Sequence, residues 1–347
     1  MTTTDTPIRV GIVGAGVNTR SRHVPGLRAQ AGVEIVCVAN RLRESSARAA
    51  TELGIPEIAD DWRALVARPD LDAIMVGTWP YLHCPVTLAA LESGKHVLTE
   101  ARMAMNVAEA RQMLDASRRR PDLVAQIVPA PFTFGVDRTV QRLLREGFLG
   151  RLLTVDVRVA DGNFIDPAAP LSWRQDVERS GCNVMSLGIW YESLMRWVGE
   201  AERVMARGRS FVSQRVDESG VLRSVRVPDH VSVLADLACG AQASITVSAV
   251  AGLVKQSEIV LCGSDGTLRF AEGELYGARR GEAALLPIEI PEHERSGWRV
   301  EEAFINAIRG RECITHTRFE DGVRYMQFTE AVATSIAERR EVALPVG

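Results

Sequence analysis

Apolar positions in the first third of the chain fall in short, nearly unbroken runs. Ile8–Val13, Val33–Ala39, residues 71–77 and His96–Thr99 have the pattern of strands buried on both faces. Between them residues 22–30, 45–53, 85–93 and 107–118 carry helix-forming patterns. Gly54 and Gly94 follow two of these segments as stop signals. Asn106, with Glu109 three residues on, marks the start of another. Strands alternating with helices predict a doubly wound α/β domain, its parallel sheet covered on both faces.

After Pro129 the period changes from run to alternation. A helix is expected at 138–146, ended by Gly147, and a second at 185–198. Strands are expected at 152–159, 204–213, 230–238, 241–250, 258–262 and 267–270, with a hairpin turn at Cys239-Gly240. Residues 298–309 and 319–339 read as two closing helices. The second half is therefore an α+β domain on a mostly antiparallel, open sheet. The expected division is 1–125 and 126–347, with the C-terminal helix packing back on the first domain. A length of 347 residues, at roughly 150 per domain, agrees with two domains.

Composition narrows the function classes. Apolar residues at 46% and charged residues at 24% exclude a disordered or collagen-like chain. A net charge of −3 offers neither a nucleic-acid footprint nor a polybasic membrane anchor. Residues 1–6 carry no leader signature, and no apolar run reaches the ~20 residues that span a bilayer. Six cysteines lie scattered without a CxxC pair, so neither a zinc motif nor a disulfide framework is expected. These features predict a cytoplasmic, metal-free protein. Lys95 and Lys255 are its only lysines, which leaves few candidates for a catalytic amine.

Chemistry enters where the first strand runs into Gly14-Ala15-Gly16. The first glycine suits a tight turn, and the second lets backbone approach a pyrophosphate at the start of the next helix. Val17 and Asn18 continue that loop, and Thr19 stands where the fingerprint has its third small residue. The second strand ends Ala39-Asn40-Arg41, without the acidic residue that accepts from a ribose 2′-hydroxyl. Asn40 and Arg41 can instead hydrogen-bond and neutralise a 2′-phosphate. The expected cofactor is thus NADP, with NAD possible.

Several stretches together resemble the Gfo/Idh/MocA oxidoreductases, named for glucose–fructose oxidoreductase, inositol dehydrogenase and a rhizopine-catabolism protein. They are GIVGAG at 11–16, HVPGL at 23–27, GTWPYLHCPVTLAALESGKHVLTE at 77–100, LLREGFLGRL at 143–152, EEAFINAIRGR at 301–311 and the closing FEDGVRYMQFTEAVATSIAERREVALP. The resemblance implies an N-terminal Rossmann domain and a C-terminal domain whose sheet supports homodimers or homotetramers. It also implies a polar small-molecule substrate such as a sugar or cyclitol. Thr78, Trp79, His83, Glu100 and Arg102 would lie at the cofactor, as would Trp173 and Arg174.

The departures bear on catalysis. Where the family has Glu-Lys-Pro, this chain has Glu100-Ala101-Arg102. Where the family has Gly-Gly-Gly followed by Asp and His, it has Gly181-Cys182-Asn183, Ser186 and Trp190. Asn183, Ser186 and Trp190 are thus expected in the substrate pocket without the usual acid/base groups. Arg102, Tyr191 and His83 are the substitute catalytic candidates. Two other readings stay open: a lyase or isomerase that is redox-neutral overall, and a regulatory protein that binds cofactor without turnover.

Overall fold

A computed structural model describes residues 7–345, so the leader reading of residues 1–6 lies outside it. The chain forms two compact units. The first ends at Pro129 and takes back Arg299–Val323; the second comprises Ala130–Trp298 and the C-terminal stretch from Arg324. The returning segment is what a division at residue 125 alone does not capture. Among the described residues no helix is long and apolar enough to cross a membrane.

The first unit is built on β1 (Ile8–Val13), β2 (Val33–Ala39), β3 (Glu57–Ile58), β4 (Ala73–Val76), β5 (His96–Thr99) and β6 (Ala125–Ile127), with α1 (Val24–Arg28), α2 (Arg43–Leu53), α3 (Trp62–Val66), α4 (His83–Glu92) and α5 (Val107–Arg119) between them. The strand order is β3-β2-β1-β4-β5-β6, and every pairing is parallel. Ala73, Ile74, Met75 and Val76 are fully buried, which is why β4 reads as an unbroken apolar run. The order reverses between β1 and β4, the crevice where such sheets bind ligands. α2 ends at Gly54 in the left-handed region (φ 58°), and Asn106 caps α5 by accepting from Glu109 N, both as the sequence predicts. The first crossover differs: a π-turn covers Thr19–His23 before the short α1, because Pro25 has no N–H to give the preceding turn.

In the second unit α6 (Asp137–Arg145), α7 (Val177–Ser180) and α8 (Leu187–Val198) accompany a sheet of nine strands. These include β7 (Leu152–Asp161), β8 (Ala201–Arg209), β11 (His230–Leu237), β12 (Gln242–Ser248), β13 (Lys255–Gly263), β14 (Gly266–Ala271) and β15 (Glu274–Arg279). A separate hairpin pairs β9 (Gln214–Val216) with β10 (Leu222–Ser224). Pairing is antiparallel except where β12 lies parallel to β7. Ala243, Ile245 and Val247 face inward, while Ser244 and Thr246 face outward; Ser248 is buried at the strand end. The closing helices are α9 (Val300–Ile308), in the first unit, and α10 (Phe319–Glu338), within which the division falls.

Candidate active site

At the carboxyl end of β1, Gly14 has φ 90°, and a Cβ there would stand 2.7 Å from Thr78 Cγ2 and 2.8 Å from Thr78 N. Glycine is required at this close approach. Thr19, fully buried, donates its hydroxyl to Gly14 O at 3.0 Å and fills the space left by the missing side chain of Gly77. The tight packing that the fingerprint's third glycine serves is thus supplied across the turn by Gly77. A Cβ on Gly16 would meet only Gly77 O, at 3.5 Å, and Gly16, Val17 and Asn18 are exposed. That open loop, bare of a side chain at Gly16, leaves room for a dinucleotide pyrophosphate.

At the end of β2, Asn40 is tied to the glycine loop. Its Oδ1 accepts from Ala15 N at 2.8 Å and its Nδ2 donates to Ser45 O at 2.9 Å. The amide therefore braces the glycine loop, each end making one of the two bonds open to it. Arg41 is exposed beside it, and Arg43 is ion-paired with Asp60.

The loops after β4 and β5 are tied together by His83. Fully buried, its ring lies 2.9 Å from Thr78 O and 2.8 Å from Arg102 O. Burial pushes its pKa down, and each ring nitrogen faces a backbone carbonyl, one of which receives the neutral ring's single N–H. This is the geometry of a loop-ordering histidine. Trp79, half-buried, leans on Tyr81 with ring centroids 6.5 Å apart. Arg102 is buried, Ala101 half-buried, and the peptide joining them is cis.

Glu100 belongs to a buried cluster that sequence reasoning missed. His23 Nε2 lies 3.0 Å from Glu100 Oε1, and its Nδ1 lies 2.5 Å from Glu301 Oε1. Burial works against a charge on His23, but the hydrogen bonds and charges of Glu100 and Glu301 outweigh it and raise its pKa to about 9. Burial would likewise push the Glu100 carboxyl up; His23, Ala101 N and the Asn18 side chain hold it below its ordinary value. Gly26 makes room for Glu301, whose carboxylate would stand 2.5 Å from a Cβ. The signal was an acidic residue on the apolar face of α9, beside buried Val300 and Phe304.

The second unit places the other candidates along α8. Trp190 is buried, and Phe132 stacks on it with centroids 5.0 Å apart and planes 23° from parallel. Ser186 precedes the helix, its carbonyl accepting from Trp190 N, so the two stand one turn apart. Asn183 is buried, its Nδ2 donating to Ser180 O at 2.6 Å. Arg174 lies over the ring of Trp173, 4.3 Å from its centroid. Tyr191 turns into the core: its hydroxyl accepts from Ala201 N at 2.8 Å, and burial pushes the phenol's pKa up. A second missed cluster fixes the segment bearing Phe132. Arg196 donates to Ala130 O and Thr133 Oγ1, each at 2.9 Å, and pairs with Asp137 at 3.0 Å and Glu192 at 3.2 Å.

A parallel sheet in this order, with a glycine turn at its switch point and a second antiparallel domain, defines a dinucleotide-binding oxidoreductase. Residues 8–126 match the model described as an oxidoreductase family with an NAD-binding Rossmann fold, and residues 138–269 match the GFO/IDH/MocA C-terminal domain. The chain belongs to the Gfo/Idh/MocA family of NAD(P)-dependent oxidoreductases. It is similar to the 1,5-anhydro-D-fructose reductase of Ensifer adhaerens, 30% identical over 64% of this chain and 67% of that one. It also resembles the levoglucosan dehydrogenase of Pseudarthrobacter phenanthrenivorans, 28% identical over 58% of this chain and 55% of the relative. A solved levoglucosan dehydrogenase holding NADH and L-sorbose shares the fold, with a TM-score of 0.82 at 23% identity over 97% of this chain and 99% of that one.

Proposed function

We propose that this chain is a cytoplasmic, NADP(H)-preferring oxidoreductase for a ring-shaped carbohydrate or cyclitol, working without the family's usual lysine, aspartate and histidine. The carbohydrate class rests on the relatives, which reduce 1,5-anhydro-D-fructose or oxidise levoglucosan by their names. The Phe132–Trp190 stack supports it, since aromatic faces pack well against the C–H face of a sugar ring.

The observation that carries the cofactor preference is the end of β2. The strand ends Ala39-Asn40-Arg41, with no acid at the position that accepts from a ribose 2′-hydroxyl, and Arg41 there is exposed. Calorimetric titration should show NADPH binding about tenfold tighter than NADH, the scale of one charge-assisted contact. Arg41→Ala should narrow that gap. Equal affinities in the wild type refute the preference.

When bound, the nicotinamide supplies the hydride donor or acceptor. Arg102, a permanent cation, polarises the substrate oxygen as charge develops on it but does not carry its proton. With His83 held by two carbonyls and Tyr191 in the core, the alcohol proton passes to solvent water. Turnover of levoglucosan, 1,5-anhydro-D-fructose and myo-inositol with either nucleotide tests the substrate class.

The open sheet face supports assembly as a homodimer or homotetramer. One cross-strand row runs Met205, Leu234, Ser244, Asp156, Val260, Arg269. Met205 and Leu234 are about half exposed, at 51% and 53%, so two large apolar side chains stand together at its start.

A further inference from the structure

Glu301 and His23 are not among the expected site residues, yet through Glu100 they reach the loops after β1 and β5. Glu301 meets His23, and His23 meets Glu100. The other oxygen of Glu100 accepts from Ala101 N at 3.1 Å, and the carboxylate also takes the side chain of Asn18 from the glycine loop. Arg102 O then receives the His83 ring, which reaches back to Thr78 O. The loops after β1 and β5 thus meet in one hydrogen-bonded cluster anchored by Glu301 of α9, and His83 packs the loop after β4 against the 100–102 segment.

We propose that Glu301 is a positioning residue for the dinucleotide: through His23 and Glu100 it holds Asn18 and the 100–102 segment in the conformation that binds cofactor. The proposal rests on the dinucleotide reading of the first unit. The physical reason is charge balance. His23 as a cation satisfies two buried carboxylates at once, whereas neutral imidazole can donate to only one of them. Once it is neutral, one acid must take up a proton or turn away, and the side facing Asn18 and Ala101 loses its fixed geometry.

The charged groups that face His23 come from several elements. Glu100 faces it from the end of β5 and Glu301 from α9, while Arg102 and His83 flank Glu100 farther out. On its own turn, Arg20 is engaged with Glu52 and Ala15 O, and Arg28 with the carbonyls of Leu53 and Gly54. Arg22 lies on the exposed side of the turn.

The test is NADPH affinity measured by nucleotide fluorescence from pH 6 to 10 on the full chain. Wild type should bind with constant affinity at low pH and weaken as His23 loses its proton near pH 9. Glu301→Gln, nearly isosteric, should bind about tenfold more weakly at pH 7, and its alkaline limb should begin about one pH unit lower. Should that variant not fold, the wild type alone decides. The imidazole NMR signal of His23 should titrate at higher pH with saturating NADPH than without, because linkage is reciprocal. A variant with unchanged affinity and pH profile, or a His23 midpoint indifferent to NADPH, overturns the proposal while leaving the cofactor reading standing. A wild type that binds neither NADPH nor NADH at any pH overturns both.

Discussion

Tyr191 lies face to face with Phe328, ring centroids 3.6 Å apart and planes 3° from parallel, while its hydroxyl accepts the N–H of Ala201. That pairing ties α8 to α10 and to the start of β8. The side chain that follows Trp190 is therefore structural, because neighbours on a helix point about 100° apart.

Tyr191→Phe removes one buried hydrogen bond and leaves Ala201 N without its acceptor. Stability should fall by about 1–2 kcal/mol. Urea unfolding reads that loss, and kcat should stay within twofold of wild type. A hundredfold drop in kcat with unchanged stability would restore Tyr191 as an acid/base group.

Arg102 carries the opposite expectation. Arg102→Ala should lower kcat ~10²-fold, the scale of one lost oxyanion-stabilising group, on whichever carbohydrate is turned over. Ala101→Lys alone should give no efficient dehydrogenase, since the sequence positions where the family carries aspartate and histidine hold Ser186 and Trp190, and catalytic groups act as a unit. Stopped-flow rates of nucleotide reduction check both, and a large gain in Ala101→Lys would contradict the proposed chemistry.

Much of the first unit was legible because parallel strands buried on both faces must be apolar throughout. β1 and β2 fall where the runs predict them. The short Glu57–Ile58 and Ala125–Ile127 strands were not legible, since two or three residues make no periodic signal. Within the site, Gly14 was readable from its turn chemistry. The work of Asn40 was not, because a side chain that reads a ribose and one that braces a loop have the same sequence. The Glu100–His23–Glu301 cluster depends on a return of the chain that local pattern cannot show.

That cluster makes stability depend on alkaline pH. Its folded-state pKa of about 9 lies above the ordinary 6.5, so the folded protein holds the His23 proton more tightly. The contribution is fully present below about pH 6.5 and is lost as pH rises through 9. The melting temperature of wild type should therefore fall across that window. The gap between wild type and Glu301→Gln should shrink in parallel; a gap constant from pH 6 to 10 would mean that His23 does not carry the charge.

The sheet face gives the last prediction. Leu234 and Met205 are cross-strand partners on β11 and β8, both about half exposed on a face whose other members are mostly polar or small. Two adjacent large apolar side chains on an otherwise mild sheet are what a twofold interface can bury against its own copy. A charge placed there would be buried in a dimer but solvated in a monomer, so its penalty falls on assembly rather than on folding. Leu234→Arg should accordingly shift the mass seen by light scattering toward that of one 38.0 kDa chain, with little change in unfolding midpoint. A wild type that already scatters as a single chain at working concentration, or a variant that keeps the wild-type mass, would move the interface elsewhere on the protein or remove it.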